Sequence, residues 1–171
     1  MQIERSEPTS HTEVASAFRG DEVARLLHDL AQWKPSKRIS DEQSCRDDLA
    51  FFLRERGHQV SVEHWLGKGR GRRRVDLLVA DLIPVELKYA LHEKGAGERD
   101  RARSQIESYA QIWGESGPVL LLLAATPRTH AEPLRDFAMK WNDQFDATPA
   151  APIIVVADTP KAASGRLLAA A

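Results

Sequence analysis

The stretch "PVLLLLAAT", residues 118 to 126, constrains the fold of this chain more than any other. It is too continuously apolar for a half-exposed strand, which would alternate, so it belongs inside a sheet covered on both faces. A sheet covered on both faces needs helices above and below it, and that points to an α/β domain. With 171 residues, 42% of them hydrophobic, the chain has the length of one such domain and enough apolar material for its core.

The remaining elements fall in order around that strand. Residues 1 to 20 are polar, include Pro8, Ser10 and Gly20, and show no sustained periodicity, so a flexible N-terminal arm is expected there. "DEVARLLHDLAQW" follows, with Val23, Leu26, Leu27, Leu30 and Trp33 at helical spacing and a stop near Pro35. Ser40 is placed to cap a second helix, "SDEQSCRDDLAFFLRERG", whose Cys45, Leu49, Phe52 and Leu53 form one stripe and whose Gly57 lies just past its end. The period then changes. "HQVSVEHWL" sets Val60, Val62 and His64 against Ser61, Glu63 and Trp65, as a strand does. After the turn "GKGRGRRR" the chain returns as "RVDLLVA", turns again at Asp81, and makes "IPVELKYAL", with Pro84 near the strand's start or at an edge. These three strands are read as a meander. "RARSQIESYAQIW" is a helix packing through Ile106, Tyr109, Ala110 and Trp113, and the buried strand comes next. "AEPLRDFAMKWNDQF" is a further helix, "APIIVVAD" a last strand, and residues 159 to 171 a tail. The expected architecture is an αβββαβ core with a mixed central sheet flanked by helices, one extra helix in front, and a single domain over residues 21 to 158.

Composition excludes several classes of function. Twenty-four Lys and Arg against 25 Asp and Glu leave a net charge of −1, so the average charge argues neither for nor against a nucleic-acid partner. The single cysteine, Cys45, allows no internal disulfide, and the six histidines show no zinc-ligand spacing. The N-terminus is charged where a signal peptide would be apolar, and no apolar run reaches membrane-spanning length. A soluble, cytoplasmic protein with no membrane partner is expected.

Against this background "VDLLVADLIPVELKY", residues 75 to 89, is anomalous: two strands of buried character carry Asp76, Glu86 and Lys88. Strand side chains alternate, so Val85, Leu87 and Tyr89 share one face while Glu86 and Lys88 share the other, about 7 Å apart. A tight turn near Asp81 brings Asp76 toward the same spot. Carboxylates held that close repel unless a cation joins them, and hard oxygen ligands with room for water suit Mg²⁺. Such an ion between Asp76 and Glu86 would polarise a phosphoryl oxygen and activate a water, with Lys88 orienting that water or stabilising charge. The implied chemistry is phosphodiester hydrolysis. An isolated Glu-x-Lys is by default a solvated ion pair; Asp76 on the neighbouring strand sets this one apart.

An Asp on one strand ten residues before "ELK" on the next, a helix before them, and a following helix with "QIESY" together resemble the PD-(D/E)XK nuclease superfamily, over roughly residues 42 to 125. Gln105 and Tyr109 match the Gln-x-x-x-Tyr motif of its RecB-like and junction-resolvase-like branches. The resemblance implies a restriction-endonuclease-like fold with Asp76, Glu86 and the Leu87 carbonyl as ligands of Mg²⁺, for which Mn²⁺ could substitute. It further implies that Lys88 assists the attacking water and that Gln105, supported by Tyr109, helps arrange the site. The superfamily also places a Glu on the first core helix. Glu42, on the face of Cys45 and Leu49, is the residue chosen; counting from Gly57 instead gives Arg46, with Asp47 the nearest carboxylate. Glu63, on the strand before the basic turn, is a further candidate acid, its strand face not fixed by the sequence.

The turn "GKGRGRRR" sets Lys68, Arg70, Arg72, Arg73 and Arg74 together without an acid, placed to grip phosphates beside the cleavage site. It lacks the Gly-Lys-Ser/Thr ending of a phosphate-binding loop, which excludes a nucleotide triphosphatase. Four tryptophans are explained by packing, with Trp65, beside this turn, the one able to stack on a base. The expected function is a metal-dependent nuclease acting on DNA rather than RNA. The alternatives are a non-catalytic nucleic-acid-binding or assembly subunit with the same fold and a homodimeric junction resolvase; a homodimer or a protein partner is the association considered.

Overall fold

A computed structural model describes residues 11–36, 39–89, 96–113, 119–126, 136, 138–140, 143 and 153–158. Helix α1 spans His11–Gln32 and α2 Glu42–Glu55; β1 is Val60–Leu66, β2 Arg73–Val79 and β3 Ile83–Tyr89. Helix α3 covers Ala96–Trp113, β4 Leu120–Thr126 and β5 Ile153–Asp158, and a single 3₁₀ turn, Gly69–Gly71, sits between β1 and β2. The five strands lie in the order β1-β2-β3-β4-β5. β1, β2 and β3 are antiparallel neighbours, as the meander required, whereas β3, β4 and β5 run parallel. A parallel neighbour demands a crossover, and α3 supplies it between β3 and β4. The fold is therefore α/β with a mixed sheet.

The apolar run behaves as its composition demands. Leu120, Leu122 and Ala124 join a cluster with Leu26 and Leu30 of α1, Leu49 and Leu53 of α2, and Val85 and Leu87 of β3. Leu121 joins a separate cluster with Ala102, Ile106 and Tyr109 of α3. Helices α1 and α2 thus cover one face of the sheet and α3 the other. Of the expected helix over 131 to 145, Asp136, Ala138–Lys140 and Asp143 are helical, and Ala138 packs into the α3-side cluster. The rest of that helix, and the tail at 159 to 171, lie outside the described residues.

Three expectations need correction. The arm does not run to residue 20: α1 begins at His11, because Gly20 stands in open space and one unpacked glycine lowers helix stability by only about 1 kcal/mol. Asp41, not Ser40, caps α2. Its carboxylate accepts the Ser44 N–H at 2.7 Å while the Ser44 hydroxyl accepts the Asp41 N–H at 3.2 Å, a reciprocal capping box. The strict alternation expected along β1 breaks at Glu63, which has a left-handed φ of 52°. Val60 and Val62 face the α2-side cluster but Leu66 the α3 side. The end of α2 follows the sequence: Gly57, at φ 81°, donates to the Arg54 carbonyl and His58 to that of Leu53.

Helix α1 is tied to the core as well as packed on it. Buried Asp29 accepts from Arg56 at 3.0 Å and lies 2.7 Å from His58 Nε2. Burial alone would raise the Asp29 pKa, but the hydrogen bonds of His58 and Arg56 outweigh it and hold the carboxyl below its usual range. Trp33 donates to Asp48 at 3.0 Å. Among the described residues no helix is long and apolar enough to cross a membrane.

Candidate active site

β2 and β3 pair only through Leu77–Val85, Leu78–Pro84 and Val79–Ile83. Beyond that point the ladder stops, and the Leu87 N–H donates instead to Asp76 Oδ2 at 2.8 Å. The N–H and C=O of a strand residue project to the same side, so the Leu87 carbonyl also faces β2. Where the strands part, a cleft of about 350 Å³ opens, lined by Glu42, Gln43 and Arg46 of α2, Glu63 of β1, Arg74, Val75 and Asp76 of β2, Glu86 and Lys88 of β3, and Gln105 of α3. Both helical layers therefore reach it through the end of the sheet.

Asp76, Glu86 and Lys88, expected from the sequence to converge, all line this cleft. Lys88 Nζ donates to Glu86 Oε1 at 2.6 Å and lies 3.6 Å from Glu42 Oε1. Glu42 also accepts the Tyr89 N–H at 3.3 Å, and the Tyr89 hydroxyl donates to the Ile39 carbonyl at 3.2 Å. Of the two ways of placing the α2 carboxylate, Glu42 lines the cleft, whereas Asp47 is exposed and sits 3.6 Å from Arg46 Nε. Neighbouring register pairs place Glu63 opposite Asp76. There its carboxylate is held by Arg46 at 2.8 Å and Arg74 at 3.6 Å, while Arg46 lies 4.0 Å from Asp76.

Gln105 Nε2 donates to the Tyr109 hydroxyl at 2.8 Å, which reaches the Arg74 carbonyl at 2.8 Å. The same hydroxyl is close enough to Glu86 to lower that carboxyl's pKa, and its one proton serves only one acceptor at a time. Gln105 and Tyr109 thus brace β2 against α3 two residues before Asp76. Of the basic turn, only Arg74 lines the cleft; Lys68, Arg70, Arg72 and Arg73 are exposed farther along the hairpin. Arg46 was read from the sequence only as a possible alignment position, not as a member of the site. Its place four residues after Glu42, on the same helix face, was the available signal.

Charge in the cleft is unbalanced toward acid. Glu86 is 3% exposed, and its carboxyl is pushed up to about 7, first by burial and then by Asp76, against the attraction of Lys88. The Asp76 pKa is raised chiefly by burial, with Glu42 adding to it and the Leu87 N–H and Lys88 opposing. Burial would lower the Lys88 pKa, but Glu86 reverses that and keeps the ammonium above its ordinary value. Tyr109 is raised, chiefly by burial.

Among the described residues no set of three His, Cys, Asp or Glu side chains is arranged to hold a metal ion. Mg²⁺ needs fewer: it is commonly bound by one or two carboxylates, keeping waters in its remaining positions. Asp76 and Glu86 are hard oxygen donors lining one cleft, their carboxyl pKa values raised chiefly by burial, and the Leu87 carbonyl faces the same gap. These residues fit a small divalent cation. Models of protein families, curated proteins and solved structures were compared with the chain, and none matches.

Proposed function

We propose that the chain is a Mg²⁺-dependent nuclease of PD-(D/E)XK type that hydrolyses phosphodiester bonds in DNA. The observation that carries this reading is the convergence of Asp76, Glu86 and Lys88 on one cleft where β2 and β3 part. The element order and the mixed sheet are compatible with a restriction-endonuclease-like core, and the Gln105–Tyr109 bond supports the resemblance of "QIESY" to the superfamily's helix motif.

Asp76, Glu86 and the Leu87 carbonyl would hold the ion, which when bound supplies charge neutralisation at a phosphoryl oxygen and a lowered pKa for water. The Leu87 N–H fixes Asp76, and Glu86 and Glu42 together hold the Lys88 ammonium. Because its pKa lies above the ordinary value, Lys88 stays an ammonium near neutral pH. It is placed as a hydrogen-bond donor that orients the attacking water and offsets charge on the pentacovalent phosphorus. Arg74, exposed at the rim, and Arg46, more deeply set beside Glu63 and Asp76, are placed to meet the non-bridging oxygens of the substrate.

A second reading, a nucleic-acid-binding subunit that does not cut, is favoured by the ion pairs that already offset part of the acidic charge. The two are separated by incubating the protein with DNA in Mg²⁺, in Mn²⁺ and in a chelator. The nuclease reading expects cleavage in the metals and none in chelator; binding without cleavage in any of the three sinks it.

A further inference from the structure

Outside the cleft, the hairpin joining β1 to β2 carries a second arrangement of chemistry. Trp65 is 49% exposed although it lies in a strand, where a large aromatic ring normally packs. The guanidinium of Arg72 lies 4.3 Å from its ring centroid and that of Arg74 6.0 Å. Trp65 pairs directly with Arg74 in the sheet register, and Arg74 stands two residues before Asp76, about 7 Å along the strand. Lys68, Arg70, Arg72 and Arg73 are exposed, and among the described residues none of them pairs with an acid. A solvated hairpin tip accounts for the arginines but not for a half-exposed indole with the Arg72 guanidinium over its ring and that of Arg74 farther off.

We infer that Trp65, with Arg72 and Arg74, forms a stacking platform for a base of single-stranded nucleic acid, which it feeds toward the cleft. This deepens the nuclease reading and rests on it for the direction of the strand, but not for binding. An indole offers every base a π-face, so recognition is independent of sequence, while a duplex keeps its bases stacked internally and presents only phosphates. The cations of the turn contact the backbone on either strand form; the indole contacts only an unpaired base. The platform thus selects single-stranded segments, such as a frayed end or a flap, over continuous duplex.

The test is fluorescence anisotropy of labelled single-stranded and duplex DNA with the full chain in chelator, so that hydrolysis plays no part. Trp65→Ala is expected to weaken single-strand binding about tenfold and leave duplex binding unchanged, with Trp65→Phe keeping most of the affinity. Arg72→Gln is expected to weaken both forms and, through the lost phosphate contact, to flatten the salt dependence of each. If Trp65→Ala leaves single-strand affinity unaltered, weakens both forms equally, or if the chain binds neither, the platform is refuted. An acidic peptide competing more strongly than single-stranded DNA would refute it in favour of a protein partner. Trp65-dependent binding without cleavage in Mg²⁺ would overturn the nuclease reading alone, and cleavage indifferent to Trp65 would overturn the platform alone.

Discussion

Glu86 shows how much charge the site holds against its own interest. Its carboxyl, with an ordinary value of 4.5, is pushed up to about 7 by burial and by Asp76, so the folded chain keeps a proton that the unfolded chain releases. Stability then falls as pH rises between those values, because the folded state binds more protons there than the unfolded one. In chelator, urea denaturation is expected to show the wild type less stable at pH 8 than at pH 5 from this source, and Glu86→Gln, which cannot ionise, to flatten that difference. Added Mg²⁺ should restore wild-type stability at the higher pH and do less for Glu86→Gln. The meeting of Glu86 and Lys88 was legible in the sequence because two-residue alternation is a local property of a strand. The left-handed Glu63 was not, since its conformation depends on packing around β1, and Arg46 entered the site only when α2 was laid across the sheet.

Helix α2 joins core and chemistry within one turn. Cys45, Leu49 and Leu53 are buried under the sheet, while Glu42, the first residue after the cap, reaches Tyr89 and Lys88. Loosening that first turn should therefore reach the site without a direct contact. Asp41→Ala is expected to lower the thermal midpoint and reduce cleavage, with DNA affinity in chelator unchanged. Asp41→Asn, which keeps an accepting oxygen at the cap, should restore most of both. Loss of stability with full activity would show that Glu42 does not depend on the cap. The body of α2 was readable from its apolar stripe and Gly57. Its start was not, because Ser40 and Asp41 are both good caps and only the reciprocal bond with Ser44 decides between them. The early start of α1 was hidden for a related reason: Gly20 reads as a breaker in sequence, yet in place it meets nothing that a helix would have to avoid.

Over the whole molecule the net charge of −1 conceals a separation, with acid gathered in the cleft and base along the β1–β2 hairpin beside it. If the five cations of the turn engage phosphates of a single strand, the logarithm of the binding constant should fall against the logarithm of salt concentration with a slope of about −3.5. Arg70→Gln should make that slope shallower by about 0.7, whereas a slope near zero would remove the turn from the interface. The order of elements and the β1–β3 meander followed from hydrophobic pattern and turn spacing, but the places of β4 and β5 in the sheet did not, nor did the end of the β2–β3 ladder, beyond which Asp76 takes the Leu87 N–H. The most direct test of the account is the Mg²⁺-dependent cleavage rate of single-stranded and duplex DNA by wild type, Lys88→Ala and Asp76→Ala, each shown to be folded by circular dichroism. The account predicts cleavage by the wild type, with both variants slowed at least a hundredfold while they still bind DNA. Undiminished cleavage by both folded variants would place the chemistry elsewhere, and a wild type that binds without cutting would contradict the nuclease itself.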